Sequence, residues 1–219
     1  MVLVVAEEDV FKFTPLVSDL DFAGKEIIVP TRSSSMVECF AIDWLIVNLG
    51  LERVGIFTSP TLIDSMVQRN AYSEDPTAPL TTAVELFSNE SRELFVIQIR
   101  SEILNGKNFA SKLSNFITSN SFGNVLIMSG SDSCFLTGQE LEAPKISIVP
   151  DASRVVSGGI AKRLCELIEK REILVGMTRG KSEEEIAIVS REMALMCAKR
   201  IGISEPTMNR VPLSIEAIV

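Results

Sequence analysis

A single α/β domain, built on a mixed, mostly parallel sheet flanked by helices, is the fold class the sequence predicts. Three observations predict it. Short β-rich runs alternate with stretches of helical apolar spacing along nearly all of the chain. One pair of β-runs is joined by the short polar turn Ser88-Asn89-Glu90-Ser91, so part of the sheet is antiparallel. With 219 residues the chain can bury one large core, and residues 1–219 need no second domain.

The elements follow in order. Lys25 to Pro30 is β-rich and comes after the Ala23-Gly24 turn. Ser35 with Glu38 has the spacing of a capping box, which starts a helix bearing Val37, Phe40, Ala41, Trp44, Leu45 and Leu49 on one face. Its other side carries Cys39, Ile42, Ile46 and Val47, so it has to be covered on several sides, by sheet, by helices or by another chain. Gly50 suits the position just past its end. Arg53 to Phe57 is the next strand. Ser59 to Pro79 reads as a loop broken by Pro60, Pro76 and Pro79, with one helical turn around Leu62 to Val67.

Ala83 to Phe87 and Glu93 to Ile99 form the hairpin. Phe109, Leu113, Phe116 and Ile117 stripe a helix from about Lys107 to Asn120. Asn124 to Met128 and Ile146 to Val149 are strands, and Ile160, Leu164, Leu167 and Ile168 mark a helix after Gly158-Gly159. Glu172 to Met177 is the last strand. Ser182 with Glu185 is a second capping box, opening a helix that aligns Ile186, Val189, Met193, Met196 and Ile201.

Composition excludes several functions. The net charge is −8, with no basic footprint for nucleic acid. No apolar run is long enough to cross a membrane. Met1 to Val5 is too short for a secretory core and lacks a basic flank, so the cytosol, with access to the nucleus, is the expected location. Cys39, Cys134, Cys165 and Cys197 form no CxxC pair and read as buried small hydrophobes. Histidine is absent, which removes the commonest general base and metal ligand, so no metal and no cofactor are expected. Hydrophobic residues make up 46% of the chain, which fits either a rich core or an apolar partner surface.

Four constellations have the residue types for chemistry. Gly176 to Ser182 follows a strand and opens a helix, but it is one residue short of a phosphate-binding loop, and a turn with a helix cap is expected. Ser129 to Ser133 lies beyond a strand end, where open α/β sheets bind ligands, yet no base accompanies it and a turn is expected. Arg100-Ser101 closes a strand. The arginine there either grips an anion or caps a neighbouring loop or helix end. Glu183, Glu184 and Glu185 suit the first turn of a helix.

Taken together, Pro30 to Tyr72, Ile97-Gln98-Ile99-Arg100-Ser101, Val125 to Ser133 and Gly158-Gly159-Ile160-Ala161-Lys162 resemble the proteasome assembly chaperone 2 family in order and spacing. The resemblance runs from about Asp19 through the last helix. It implies a non-catalytic fold of phosphorylase-like architecture and a heterodimer with proteasome assembly chaperone 1. That pair would hold alpha-type subunits of the 20S proteasome during ring formation and suppress off-pathway ring dimers. The chain departs from the family where members carry glycines before the first helix, since Ser35 and Glu38 stand there, and its segment from Pro150 to Gly158 is short. Its end, Ala217-Ile218-Val219, lacks the hydrophobic-tyrosine-any tail of such proteins. Ile215, Ile218 and Val219 are the candidate partner-binding residues. The alternative is a nucleoside phosphorylase- or hydrolase-like enzyme using Arg100 and the Ser129 to Ser133 loop. An unrelated homodimeric scaffold is a third reading.

Overall fold

The computed structural model describes residues 11–62, 72, 80–132, 146–149, 159–178, 182–203 and 206–216. All described strands join one eight-stranded sheet: β1 (Lys12–Pro15), β2 (Glu26–Pro30), β3 (Glu52–Thr58), β4 (Val84–Ser88), β5 (Leu94–Ile99), β6 (Asn124–Asp132), β7 (Ile146–Val149) and β8 (Arg171–Thr178). Their order across the sheet is β1-β3-β4-β5-β2-β6-β8-β7. The centre, β5-β2-β6-β8, is parallel, while β1, β4 and β7 run antiparallel to their neighbours. The predicted mixed sheet is therefore observed, parallel in its core, with β4 and β5 as the predicted hairpin.

Five helices accompany the described strands: α1 (Val37–Leu49), α2 (Gly106–Ser119), α3 (Gly159–Leu167), α4 (Glu183–Arg200) and the single turn α5 (Leu213–Glu216). One face of the sheet packs on α2 and α3, the other on α1, α4 and α5. Strand β2 shows why the central strands read as unbroken apolar runs. Ile27 and Val29 enter the first core, Ile28 enters the second, and all three have no exposed surface.

The helix that is apolar on all sides finds its cover within the chain. Residues Val37, Cys39, Ala41, Ile42, Trp44, Leu45 and Ile46 of α1 are buried between the sheet, α4 and α5. Gly176 lets the helices come close, because a Cβ there would meet Met193 Sδ at 3.0 Å and Val37 Cγ2 at 3.4 Å. At the far end of α1, Gly50 takes a left-handed conformation (φ 61°) and donates its amide to the Ile46 carbonyl, as its sequence position predicts.

The start of α1 differs from the capping box read in the sequence. Met36, not Ser35, is the N-cap, in a left-handed conformation and without a side-chain cap bond. Glu38 reaches further back, and its carboxyl group accepts from the backbone N–H and the Oγ of Ser33. The Ser182 cap of α4 forms as expected, its Oγ accepting from the Glu185 amide at 3.3 Å.

Strand β1 adds to the elements expected from the sequence, with Phe11 and Phe13 alternating with polar residues there. It completes an aromatic layer over α2, in which Phe11, Phe13, Phe22, Phe57, Phe95, Phe109, Phe116 and Phe122 stack with ring centroids 4.9 to 6.2 Å apart. Gly55 makes room for Phe13, since a Cβ at that position would stand 2.5 Å from Phe13 Cζ. Gly55→Ala is thus expected to displace Phe13 and loosen β1, costing about 1–3 kcal/mol by overpacking. Urea unfolding measures this, and an unchanged midpoint would show that Phe13 can move aside freely.

Candidate functional site

The carboxyl ends of the parallel strands are where an open α/β sheet would hold a ligand. In this protein those ends are bordered by the loop after β2 and by the end of β6. Thr31 and Ser129 are both buried, and Thr31 Oγ1 donates to Ser129 Oγ at 3.1 Å. Arg32, left-handed at φ 56°, sends its Nε to the Ser101 carbonyl at 2.9 Å and so ties the β2 loop to the end of β5. Ser33, Ser35 and Glu38 fill the space above Gly130, where a Cβ would lie 2.5 Å from both Glu38 Oε2 and Ser35 Oγ. The chain's own polar side chains occupy this spot.

Glu38 is fully buried, and burial pushes its carboxyl above the ordinary glutamate value, against the Ser33 hydrogen bonds and the Arg32 charge that favour ionisation. A folded value above the unfolded one means that the neutral acid's contribution is complete below the ordinary value of 4.5. That contribution is lost as pH rises through the folded value. Glu38→Gln keeps a neutral group of the same shape. Its stability is expected to gain on the wild type by up to about 1.4 kcal/mol per pH unit across that window. Urea unfolding from about pH 4 to about pH 8 checks this. Parallel pH curves for the two proteins would overturn it.

A second polar cluster lies beneath α1. Asp43, which the sequence pattern passed over because it sits in an apolar helix, is 1% exposed and collects donors from four places. Its Oδ1 accepts from Arg100 Nη2 at 2.6 Å, from the Tyr72 hydroxyl at 2.8 Å and from Gln98 Nε2 at 2.5 Å. Its Oδ2 accepts from Ser214 Oγ at 2.5 Å. Arg100 also donates to the Tyr72 hydroxyl and lies over its ring, 4.9 Å from the centroid. Burial opposes the Arg100 charge, but Asp43, followed by Tyr72, outweighs it and the guanidinium stays a cation. Burial, then the Asp43 charge, lifts the Tyr72 phenol well above its ordinary range. The anion that the strand-end arginine grips is thus internal.

The other sequence candidates resolve as follows. Ser129 to Asp132 is strand rather than turn, because β6 continues to pair with β8 as far as Asp132 and Thr178; Ser133 lies outside the described residues. Gly176 sits inside β8, and residues 179–181 are outside the described set, so no phosphate loop is seen at this place among the described residues. Gly159 opens α3 at φ 69°. Glu183, Glu184 and Glu185 occupy the first turn of α4 as expected. The turn expected around Leu62 to Val67 falls outside the described residues apart from Leu62, which bridges to Ile103. Cys39, Cys165 and Cys197 are buried, as expected, and Cys134 is outside the described residues. Burial raises the thiols of Cys39 and Cys197.

Of the candidate partner-binding residues, Ile215 is 1% exposed and packs in the core of the α1 face, so its side chain is not offered to solvent. Ile218 and Val219 lie outside the described residues. Large apolar side chains that are exposed include Leu16, Leu80, Leu104, Ile148, Ile188 and Val211, with Leu104 the most open at 69%. Among the described helices none is long and apolar enough to cross a membrane.

Comparison with known proteins places these features. The PAC2 family model matches residues 27–198, from β2 to near the end of α4. Proteasome assembly chaperone 2 of Bos taurus is 27% identical over 156 residues, covering 68% of this chain and 59% of that protein. The Homo sapiens protein of the same name is 28% identical with the same coverage. The matches thus span about 59% of the length of these curated relatives. Among solved structures, Pyrococcus furiosus PbaA, an archaeal homolog of proteasome-assembly chaperone, superposes with a TM-score of 0.62 over 94% of this chain and 92% of its own, at 14% identity. Pyrococcus furiosus PbaB, an archaeal proteasome activator, gives 0.64 over 95% of this chain and 94% of its own, also at 14% identity.

Proposed function

The chain belongs to the PAC2 family, and from that premise we propose that it is a proteasome assembly chaperone. In this reading it pairs with proteasome assembly chaperone 1, holds alpha-type subunits of the 20S proteasome while their ring forms, and blocks off-pathway ring dimers. It acts in the cytosol, with access to the nucleus, and by occupancy rather than by chemistry. The observation that carries the reading is the family match across residues 27–198, which takes in the parallel sheet centre and most of the helices that cover it.

The geometry is in keeping with a binding role. Glu38, Ser33 and Ser35 fill the space beside Gly130 near the carboxyl ends of the central strands, and Arg100 is neutralised by Asp43. Contact with partners then falls to the outer surface, where Leu104, Ile148 and Ile188 are exposed, and to Ile218 and Val219 at the chain's end. The interface with the sister chaperone has to be the more apolar and durable one. The interface with the ring has to be weaker, so that the chaperone can leave.

Purification of the tagged protein from its own cells under native conditions tests the proposal. Co-elution of alpha-type subunits with a second chaperone of similar size is the expected result. A homodimer that turns over nucleosides, or one that captures nothing, would overturn it.

A further inference from the structure

The segment 206–216 is held on the body of the protein by side-chain bonds and buried apolar plugs, with no strand pairing among the described residues. Asn48 on α1 grips Arg210 from both sides: its Oδ1 accepts from the Arg210 amide at 2.9 Å, and its Nδ2 donates to the Arg210 carbonyl at 2.9 Å. Arg191 on α4 donates from Nε to the Met208 carbonyl at 3.1 Å. Met208 and Ile215 are the plugs, 2% and 1% exposed. The last attachment is Ser214 Oγ to Asp43 Oδ2.

From this arrangement we infer that residues 206–216 form a detachable strap whose latch is the hydrogen bond between Ser214 and Asp43. The structure shows why the latch can open without orphaning the Asp43 carboxylate. The two Asp43 oxygens are unequally supplied, since Arg100 Nη2 sits 2.6 Å from Oδ1 while Nη1 sits 3.5 Å from Oδ2. Ser214 holds Oδ2 at 2.5 Å. When Ser214 leaves, a small turn of the guanidinium brings Nη1 into bonding distance of Oδ2, completing the bidentate pair that arginine and carboxylate prefer. The buried carboxylate keeps its ion pair with Arg100 in both states, so the cost of opening lies in uncovering Met208 and Ile215 and in breaking the Asn48 and Arg191 bonds, not in an orphaned charge. Asp43 also receives the Tyr72 hydroxyl, so the strap and Tyr72 meet at one side chain. That release of the strap frees the chain's end for a partner rests on the reading proposed above; the latch itself does not.

Hydrogen exchange of the isolated full chain, read by mass spectrometry, tests the latch. Ser214→Ala is expected to speed exchange in 206–216 about ten-fold with little change in the global unfolding midpoint. Ser214→Asp, which sets a second carboxylate against Asp43, is expected to speed it further, and Ser214→Thr to restore the wild-type rate. Trp44, the single tryptophan, lies under Arg191 with the guanidinium carbon 6.0 Å from the ring centroid, and its emission is expected to shift to the red in step with strap exchange. Unchanged strap exchange in Ser214→Ala would overturn the inference. So would strap exchange that occurs only with global unfolding. No partner is present in these measurements, so failure of the chaperone reading leaves their outcome untouched, and failure of the latch leaves that reading standing.

Discussion

Asp43→Ala is expected to lower folding stability by about 3–5 kcal/mol, among the largest losses any single substitution will cause in this protein. The reason is what stays behind. The Arg100 side chain is 13% exposed and, among the described residues, forms its ion pair with Asp43, so the truncation leaves a nearly buried cation without that counter-charge. Gln98 Nε2 keeps the Cys39 carbonyl at 2.9 Å, but Tyr72 and Ser214 lose the acceptor on which both converge. Changing both members of the pair, Asp43→Leu with Arg100→Met, is expected to recover most of the loss, because no orphan charge remains. Chemical unfolding measures both variants. A loss below about 1 kcal/mol for Asp43→Ala would mean that Arg100 escapes to water and that the cluster is not a buried one.

Phe57→Ala is expected to cost about 3–5 kcal/mol as well, by a different route. Phe57 is 1% exposed and touches the rings of Phe11, Phe13 and Phe116, linking β1, β3 and α2 in one aromatic layer. The cavity left by the ring cannot collapse easily, because its walls are strands fixed in register, with Phe13 opposite Phe57. Thermal unfolding reads the loss, and Phe57→Leu, which refills much of the volume, is expected to be much milder. Equal losses for the two variants would show that the layer owes its stability to ring geometry rather than to filled space.

These two sites differ in how visible they were in the sequence. The strands of the central sheet, the hairpin and helices α1 to α4 were legible because burial on both faces of a strand, or along one stripe of a helix, imposes a period on the residues themselves. The stripe Phe109, Leu113, Phe116 and Ile117 marked α2 in this way, and Gly50 marked the end of α1. Strand β1 was missed because its burial is partial and its partner, β3, lies well over thirty residues away. The extension of β6 into Ser129 to Asp132 was missed because serine and glycine there favour turns, and pairing with β8 overrides that preference. At the start of α1, Ser35 and Glu38 had the right spacing for a cap, but Gly130 on a distant strand opened a space that drew Glu38 toward Ser33 instead.

The site clusters were the least legible part. Asp43 in an apolar helix, Tyr72 in a loop, Arg100 at a strand end and Ser214 near the terminus share no spacing that a linear reading can detect. By itself the sequence determined the α/β class, the alternation of strand and helix, the lack of histidine chemistry and the likeness to a chaperone family, since each follows from local residue type and period. Only the tertiary structure decided that α1 is covered from within, that Arg100 is spent on Asp43 and that Ile215 is core. Those outcomes depend on which distant side chains come within a hydrogen bond or a van der Waals contact, and distance in space is not encoded by distance along the chain.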